Sequence, residues 1–389
     1  MLIRELTLRG ILSFGQETPP LEMRPLNLLI GPNGSGKSNL IESISLLRSA
    51  PGKLAAPMRG ASGGGVREWI WKGAKSGHAG IEAILDYPSG VHSLRHRIEF
   101  TETASRFELV DEAIENAEAD PGHSDPFFFY RFLGGNPTLS VRDAGKRQLR
   151  REDIAPDESI LSQRKDPDQY PELTYLATEY ANIRIYREWS FGRSSVFRAP
   201  QAADLPGDRL EEDFSNLGLF LNHLRGMPSA KKSMLEHLGN LYEGLDDFDV
   251  RIKGGTVEVF LTEGDFIMPA SRLSDGTLRY LCLLAILCDP DPPPLVCIEE
   301  PELGLHPDLL PKLADLMRTA SARSQLVVTT HSDILVDAMT EEPEAVVVVE
   351  KHGAQTAMNR LSASDLKTWL EKYRLGELWT RGQIGGTRW

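Results

Sequence analysis

The residues best suited to do chemistry form a glycine-rich segment, GPNGSGKS at 31–38, which matches G-x-x-x-x-G-K-[ST] without a mismatch. Glycines let backbone N–H groups approach phosphate oxygens, and the N-terminus of a following helix favours the same anion. We expect Lys37 to reach the β- and γ-phosphates of a nucleotide and Ser38 to ligate Mg²⁺. The predicted nucleotide-binding residues here are Gly31, Pro32, Asn33, Gly34, Ser35, Gly36, Lys37, Ser38 and Asn39.

The elements that must hold this loop are also visible in the sequence. An apolar run at 26–30 predicts a buried strand before the loop. Residues 39–47 predict a helix after it, with Leu40, Ile41, Ile44 and Leu47 on one face. Strand, glycine loop and helix in this order are the context that a phosphate-binding loop requires.

A second group of reactive side chains follows the apolar segment LVCI in LVCIEEPE, at 295–302. The pattern predicts a buried strand that delivers two carboxylates at its C-terminal end. We expect Glu299 to bind Mg²⁺ and Glu300 to polarise the attacking water. The alternative is that acidic residues favour a helix start with Pro301 in its first turn.

Two further segments carry small polar residues beside apolar elements. LSDGT at 273–277 precedes an apolar helix, and we expect Ser274, Asp275 and Gly276 to contact an anion. Ser274 could equally be a plain helix cap. LVVTTHS at 326–332 predicts a buried strand ending near His331, which we interpret as a sensor of the γ-phosphate rather than a structural histidine.

These four segments occur in the order found in ATP-binding-cassette (ABC) ATPases. IRELTLRGILSFGQ, GPNGSGKSNLIESI and EEPELGLHP resemble stand-alone bacterial ATPases of the RecF/SMC/OLD branch. The resemblance covers residues 1–50 and 265–350 well. It implies an α/β P-loop NTPase fold, arranged as a two-lobed ABC-type head that uses ATP and Mg²⁺. It also implies a homodimer that sandwiches two ATP molecules, in which LSDGT of each chain touches the partner's nucleotide and residues 302–306 cross the interface.

The same resemblance implies a catalytic and metal-binding glutamine between the first lobe and the LSDGT segment. Gln163 in SILSQRKDP is our candidate, and Gln201 in FRAPQAAD is its rival. Two features of this chain differ from members of that branch. The helices predicted over 210–243 are too short for the long coiled coil of SMC-type proteins. No D-x-D follows Glu350, so we expect no Toprim nuclease.

The lobes are assigned by position along the chain. Residues 1–200 form lobe I, with the P-loop, an antiparallel meander over 80–110 and Gln163. Residues 201–389 form lobe II, with a helical insertion and the remaining motifs. Local patterns further predict a loop over 51–68, a solvated acidic loop over 111–126, helices over 210–225 and 230–242, and a hairpin turning at Gly254-Gly255.

Composition limits the setting in which the chain acts. It has 389 residues and a formal net charge of −13, which argues against a broadly basic surface for nucleic acid. No apolar run is long enough to span a membrane. Thiols in apolar segments fit a reducing cytoplasm better than a disulfide framework. These cysteines are Cys282, Cys288 and Cys297.

Two basic stretches keep direct contact with DNA open. The second, 184–198, interleaves arginines with aromatic residues, which suits phosphate contact and base stacking. The alternatives are that these arginines pair with carboxylates of the chain itself or lie at the dimer interface. The resemblance implies an ATPase acting on DNA in repair or defence, and the alternative is an ATP-dependent switch gating a separate effector such as a nuclease. A third alternative is a transporter's nucleotide-binding subunit, which the EEPE segment and the long stretch between P-loop and LSDGT disfavour. The first stretch holds Arg142, Lys146, Arg147, Arg150 and Arg151.

Overall fold

Contacts within the chain divide it into two units. Unit 1 comprises Met1–Ile183, Glu344–Ser362 and the described part of Ile384–Trp389, and unit 2 comprises Arg184–Pro343 and Ala363–Gln383. Both units include segments from the C-terminal part of the chain, so they are a different division from the predicted lobes. The lobe boundary near residue 200 stays a prediction. The computed structural model describes residues 1–59, 63–73, 77–133, 136–141, 145–148, 155–187, 189, 192–193, 195–196, 198–241 and 244–386.

Unit 1 contains a large antiparallel sheet with the strand order β2-β1-β4-β5-β6-β7-β8-β9. Alternate side chains of His78–Leu85 (β4) are buried, as expected for a sheet with one face on the core. The predicted meander over 80–110 is confirmed. The strands up to this point are β1 (Ile3–Arg9), β2 (Leu21–Glu22), β3 (Leu26–Ile30), β4 (His78–Leu85), β5 (Leu94–Thr103), β6 (Arg106–Asn116), β7 (Phe128–Leu133), β8 (Asn136–Val141) and β9 (Gly145–Gln148).

The helices of unit 1 correct one prediction. Residues 51–68 were expected to form a loop, but two short helices lie there, and they bury Met58, Val66 and Trp69. These apolar side chains supply the burial that the Gly- and Pro-rich composition concealed. The helices are α1 (Lys37–Ser49), α2 (Ala56–Arg59), α3 (Val66–Trp69), α4 (Ile160–Gln163) and α5 (Pro171–Ala181).

The predicted acidic loop over 111–126 is wrong in its first part, because β6 continues to Asn116 and buries three carboxylates. Basic side chains of neighbouring strands make this burial tolerable. Asp111 pairs with Arg97 at 2.8 Å, and Glu115 pairs with Arg131 at 2.9 Å. Glu112 is fully buried and accepts hydrogen bonds from the hydroxyl of Ser159 and the backbone N–H of Ile160.

Unit 2 holds a parallel group, β10-β15-β16, and an antiparallel group in which β13 pairs with β11, β12 and β14. The β12–β13 hairpin turns at Gly254-Gly255, as predicted, because Lys253 faces Thr256. The strands are β10 (Arg184–Tyr186), β11 (Gln201–Ala202), β12 (Leu245–Lys253), β13 (Thr256–Glu263), β14 (Phe266–Pro269), β15 (Leu295–Glu299) and β16 (Gln325–Thr329).

The helix expected over 210–225 begins later, at Leu217. Phe214 has a φ of +59°, which no α-helix tolerates. The buried amide of Asn216 holds the turn instead, accepting from Glu211 N–H at 2.9 Å and donating to Pro206 O at 2.7 Å. The helices of this part are α6 (Leu217–Arg225), α7 (Pro228–Leu238), α8 (Asp275–Leu287), α9 (Leu310–Ser321) and α10 (Asp333–Ala338).

The last part of the chain contributes to both units. In unit 1, β17 (Val346–His352) runs parallel to β3 and β18 (Gln355–Arg360) runs antiparallel to β17. In unit 2, α11 (Ala363–Leu370) is followed by α12 (Leu375–Thr380), which contacts α10. Across the described residues, no helix has both the length and the apolar character needed to cross a membrane.

Candidate active site

The phosphate-binding loop of unit 1 connects β3 to α1, and two of its glycines are required by close packing. A Cβ at Gly31 would lie 2.0 Å from the carbonyl oxygen of Val349, and one at Gly36 would lie 2.3 Å from Thr356 Oγ1. Both residues also have positive φ, of 150° and 115°. Glycine adopts this backbone without steric cost, so the loop stays narrow and its N–H groups are accessible to an anion.

Side chains that the motif does not include support this loop. Thr356 of β18 is 2% exposed, and its Oγ1 donates to the carbonyl of Ser35 at 2.6 Å. The same oxygen lies 2.7 Å from Ser13 Oγ, which accepts a hydrogen bond from Asn39 at 2.7 Å. Sequence reasoning missed Ser13 and Thr356, because they lie outside the motif and no local pattern marks them.

The polar groups of the loop fit a phosphate. Ser35 is 1% exposed, and its Oγ makes no hydrogen bond within the described part of the chain. A buried hydroxyl in this state is costly unless a ligand satisfies it. Lys37 is buried too, and its ammonium donates to the carbonyls of Gly31 at 2.7 Å and Pro32 at 3.2 Å. A cation and an orphaned hydroxyl in one glycine-rich turn suit a polyanionic ligand.

In unit 2, the parallel strands β15 and β16 bring two predicted site residues together. Their register places Glu299 opposite Thr329, so Glu300 and His331 both follow at the C-terminal edge. The Nε2 atom of His331 lies 3.6 Å from Glu300 Oε1. Glu300 has a φ of +46°, a strained conformation for a residue with a side chain. Such strain is typical of functional sites whose surroundings hold the backbone in place.

Two side chains from elsewhere in unit 2 hold the backbone of these glutamates. Arg279 of α8 donates to the carbonyl of Glu300 at 3.0 Å, and Trp189 Nε1 donates to the carbonyl of Glu299 at 2.9 Å. The guanidinium of Arg279 also lies 4.5 Å from the centre of the Trp189 ring. Burial lowers the pKa of Arg279 to about 10, so it remains charged at neutral pH. In the sequence, Arg279 is marked only by its position in the otherwise apolar segment LRYLCLLAIL.

Glu302 links the same loop to the histidine. Its Oε1 accepts from Thr330 Oγ1 and from the backbone N–H of His331, both at 2.7 Å. Its Oε2 is buried and has no hydrogen bond to another described residue. Glu302 was expected at a dimer interface, and the structure adds a hydrogen bond through which it orients His331. Nearby, Arg187 Nε lies 3.9 Å from Glu299 Oε1.

The LSDGT segment begins α8, and Ser274 is its cap. The Ser274 oxygen accepts from Thr277 N–H at 3.0 Å, and a Cβ at Gly276 would lie 2.7 Å from Gly304 O. Arg198 fixes the segment by donating to Leu273 O at 2.6 Å and to Asp275 Oδ1 at 2.5 Å. The hydrogen bond from Arg198 lowers the pKa of Asp275. Contact of Ser274, Asp275 and Gly276 with an anion stays a prediction.

The two candidate glutamines have different surroundings. Gln201 is 7% exposed, and its amide is engaged within unit 2, donating to Phe214 O at 2.8 Å and accepting from Gly218 N–H at 2.7 Å. Gln163 ends α4 in unit 1, where its amide makes longer contacts of 3.2–3.3 Å to the backbone. The shortest hydrogen bonds of Gln163 are therefore longer than those of Gln201, and the role of Gln163 stays a prediction.

The second basic stretch is partly used inside unit 2. Arg198 pairs with Asp275, Arg187 lies near Glu299, and Tyr186 and Trp189 pack against Phe214 at ring distances of 5.3 and 5.2 Å. Arg187 and Arg198 therefore agree with the alternative that arginines of this stretch pair with carboxylates of the chain itself. Arg184 begins β10, and Arg193 is exposed. The other predicted nucleic-acid contacts fall outside the described side chains: Arg142, Lys146, Arg147, Arg150, Arg151, Phe191 and Phe197.

Comparisons with known proteins agree with this architecture. Residues 26–337 match the model of a family described as "AAA domain, putative AbiEii toxin, Type IV TA system". No curated protein matches the chain.

Among solved structures, an Smc head bound to the C-terminal winged-helix domain of ScpA is 15% identical, with a TM-score of 0.60 over 94% of this chain and 99% of that one. A second Smc head, with an extended coiled coil and bound to the C-terminal domain of ScpA from Pyrococcus furiosus, is also 15% identical, with a TM-score of 0.60 over 96% and 99%. An Smc head with a coiled coil and joint from Pyrococcus yayanosii is 13% identical, with a TM-score of 0.56 over 96% and 99%. At these identities the likeness shows the fold, and the predicted fold class is confirmed.

Proposed function

We propose, from the premise that this chain belongs to the family described as "AAA domain, putative AbiEii toxin, Type IV TA system", that it binds and hydrolyses ATP. In this proposal the chain is an ABC-type ATPase head of the SMC/RecF branch, which the family match and the fold shared with Smc heads support. The observation that carries the proposal is the loop between β3 and α1. It combines crowded glycines, the buried ammonium of Lys37 and the orphaned hydroxyl of Ser35.

The residues of the site take separate roles in this proposal. Ser38, Glu299 and Gln163 would hold Mg²⁺, which would neutralise negative charge on the nucleotide phosphates. Glu300 orients the attacking water and accepts its proton. His331, 3.6 Å from Glu300, senses the γ-phosphate. The backbone clamp of Arg279 and Trp189 supports this assignment, because a general base must be held within hydrogen-bond reach of its water.

We further propose that two chains dimerise head to head around two ATP molecules. In this arrangement Ser274, Asp275 and Gly276 of one chain would complete the site of the other. The fixed geometry of the LSDGT segment supports the role, because Arg198 and the Ser274 cap leave the segment ordered before any ligand arrives. Hydrolysis would then depend on the dimer and would end with its reopening.

The proposal has two forms. In the first, the chain acts on DNA in repair or in defence against foreign DNA. In the other, the chain is an ATP-dependent switch that gates a separate effector protein. One observation favours the switch: Arg198 binds Asp275 of its own chain rather than lying open to a phosphate backbone.

The test is ATP turnover measured against protein concentration, with and without linear duplex DNA. For the native chain, we expect turnover per chain to rise with concentration, because the dimer completes each site. Glu300→Gln should bind ATP and fail to hydrolyse it. Stimulation by DNA would support the DNA-acting form, and indifference to DNA would support the switch.

Glu371→Gln is the matched control, since Glu371 is an exposed carboxylate outside the site. It should hydrolyse ATP at the native rate. Concentration-independent turnover would remove the dimer from the proposal. An active Glu300→Gln variant would remove Glu300 as the base.

A further inference from the structure

Unit 1 contains a cavity of about 690 Å³ that includes none of the residues assigned to the ATPase site. One wall is the outward face of α5, and the others are the β4–β5 turn, the start of β7, β8 and the loop before α5. The volume is within the range of small-molecule and side-chain pockets. Its aromatic and acidic lining residues are Tyr87, Phe127, Phe129, Tyr175, Glu172 and Glu179.

The aromatic rings occur as two pairs. Tyr87 and Tyr175 lie 5.0 Å apart at 53°, and Phe127 and Phe129 lie 5.2 Å apart at 70°. Tyr175 donates its phenolic hydrogen to Asp86 O at 2.9 Å, and burial raises its pKa to about 12, so the ring stays neutral. Neutral aromatic faces attract cations through their quadrupoles. Phe127 is 47% exposed, so the apolar surface extends beyond the cavity.

The charge of the cavity is negative. Glu172 and Glu179 lie seven residues apart on one face of α5, and no basic residue lines the cavity in the described part of the chain. Burial raises the pKa of the half-buried Glu179 carboxylate, and its cationic neighbour is the amino group of Met1 rather than a basic side chain. Thr174 Oγ1, in the same wall, is buried without a hydrogen-bond partner among the described residues. These groups are suited to a donor-rich cation.

We propose that this cavity binds an arginine side chain carried by a segment of a partner protein. A planar guanidinium can stack on aromatic faces while its N–H groups donate to carboxylates, whereas an ammonium acts as a point charge. A peptide segment is favoured over a free cation because its neighbouring residues would cover the exposed ring of Phe127. The proposal concerns partner recognition, and it does not depend on the ATPase assignment.

Ligand-observed NMR on the full chain tests the proposal with four probes. Three are acetylated, amidated pentapeptides with Arg, Lys or citrulline between pairs of glycines, and the fourth is spermidine. We expect saturable binding of the arginine peptide, with a Kd about tenfold lower than that of the citrulline peptide, since citrulline keeps the shape and lacks the charge. Equal binding of these two peptides, or no saturable binding of the arginine peptide, would overturn the proposal.

Variants locate the binding. Glu172→Gln combined with Glu179→Gln should weaken the arginine peptide about tenfold, and Phe129→Leu should weaken it as well. Glu118→Gln, at a carboxylate that is 82% exposed and does not line the cavity, should leave the Kd unchanged. An unchanged Kd in the double variant would reject the cavity as the site. Spermidine binding more tightly than the arginine peptide would reject a peptide as the occupant. The comparison of peptides on the native chain needs no variant to fold.

Discussion

The phosphate-binding loop of unit 1 and the carboxylate edge of unit 2, defined as Glu299–Glu302 with His331, are held in place by different means. The loop depends on glycines within eight consecutive residues, and at Gly31 and Gly36 there is no room for a side chain. The carboxylate edge depends on side chains remote in sequence, such as Trp189, which lies 110 positions before Glu299. A locally encoded site leaves a motif in the sequence, whereas a site held by remote contacts leaves little that can be read before folding.

The largest effect is expected at Gly36, one of the two crowded glycines of the loop. Gly36→Ala places a Cβ 2.3 Å from Thr356 Oγ1 at a φ of +115°, so both the packing and the backbone must change. We expect ATP affinity to fall by about 100-fold or more, which corresponds to roughly 3 kcal/mol. Titration calorimetry with ATP and Mg²⁺ measures this loss.

Gly34→Ala is the matched control within the same loop. Gly34 also has a positive φ, of 78°, but a Cβ there meets nothing within 4 Å. The cost should therefore be limited to the backbone, about 1–2 kcal/mol, and the loss of affinity should be smaller than for Gly36→Ala. Equal losses in the two variants would mean that contact with Thr356 does not shape the loop.

The carboxylate edge should respond through catalysis rather than binding. Arg279→Met keeps a long side chain but removes the hydrogen bond to Glu300 O and the contact with the Trp189 ring. Glu300 would lose one of the groups that hold its positive φ. We expect kcat to fall by about 10–100-fold with ATP affinity near native, because a misplaced base impairs only the chemical step. Steady-state kinetics and calorimetry together separate the two quantities.

Arg272→Met controls for the loss of a cationic side chain, since Arg272 is exposed and lies just before α8. Its kcat should remain native. If Arg279→Met weakened ATP binding as much as it slowed turnover, the clamp would serve the whole of unit 2 rather than the glutamates.

Local patterns in the sequence predicted much of the fold. The alternation in β4, the Gly254-Gly255 turn and the strand before the phosphate-binding loop all depend on neighbouring residues, and each is present. The errors occurred where distant residues decide the outcome. The acidic start of the predicted 111–126 loop is a buried strand, because arginines of adjacent strands neutralise its carboxylates. Similarly, Asn216 ends the turn that delays α6 to Leu217.

The candidate site divides in the same way. Glu300 and His331 were each predicted at the end of a buried strand, and the structure brings them within 3.6 Å at one sheet edge. Arg279, Trp189 and Thr356 could not be assigned, because an arginine in a helix or a threonine in a strand has many ordinary uses. Their contacts with the site exist only in the folded chain.

The two glutamines allow a sharper form of the comparison. Gln201→Ala removes two hydrogen bonds at the start of α6 and leaves Phe214 O and Gly218 N–H unsatisfied, so unfolding free energy should fall by about 1–3 kcal/mol. Turnover by the folded protein should stay near native. Gln163→Ala should show the converse, with about tenfold slower turnover and little loss of stability. Denaturant titration and steady-state kinetics on both variants measure the difference.

The exchange of these two outcomes would identify Gln201 as the catalytic glutamine. A loss of turnover in neither variant would mean that the site works without a glutamine from either position.

The smallest expected effect concerns protonation of the LSDGT segment. The hydrogen bond from Arg198 lowers the pKa of Asp275, so Arg198→Gln should let that pKa rise toward the ordinary aspartate value. A lowered pKa in the folded state stabilises the fold above the unfolded value of about 3.9, and this contribution is lost as the pH falls through the folded pKa. Because Asp275 is 48% exposed, solvent screening keeps the contribution small. Carboxyl-detected NMR titration of Asp275 measures the shift, with Arg193→Gln, at an exposed arginine, as control. If the Asp275 pKa does not move in Arg198→Gln, Arg198 holds the LSDGT segment through its hydrogen bond to the Leu273 carbonyl and not through the Asp275 carboxylate. A remote side chain would then fix this segment through its backbone, as Arg279 and Trp189 do for the two glutamates.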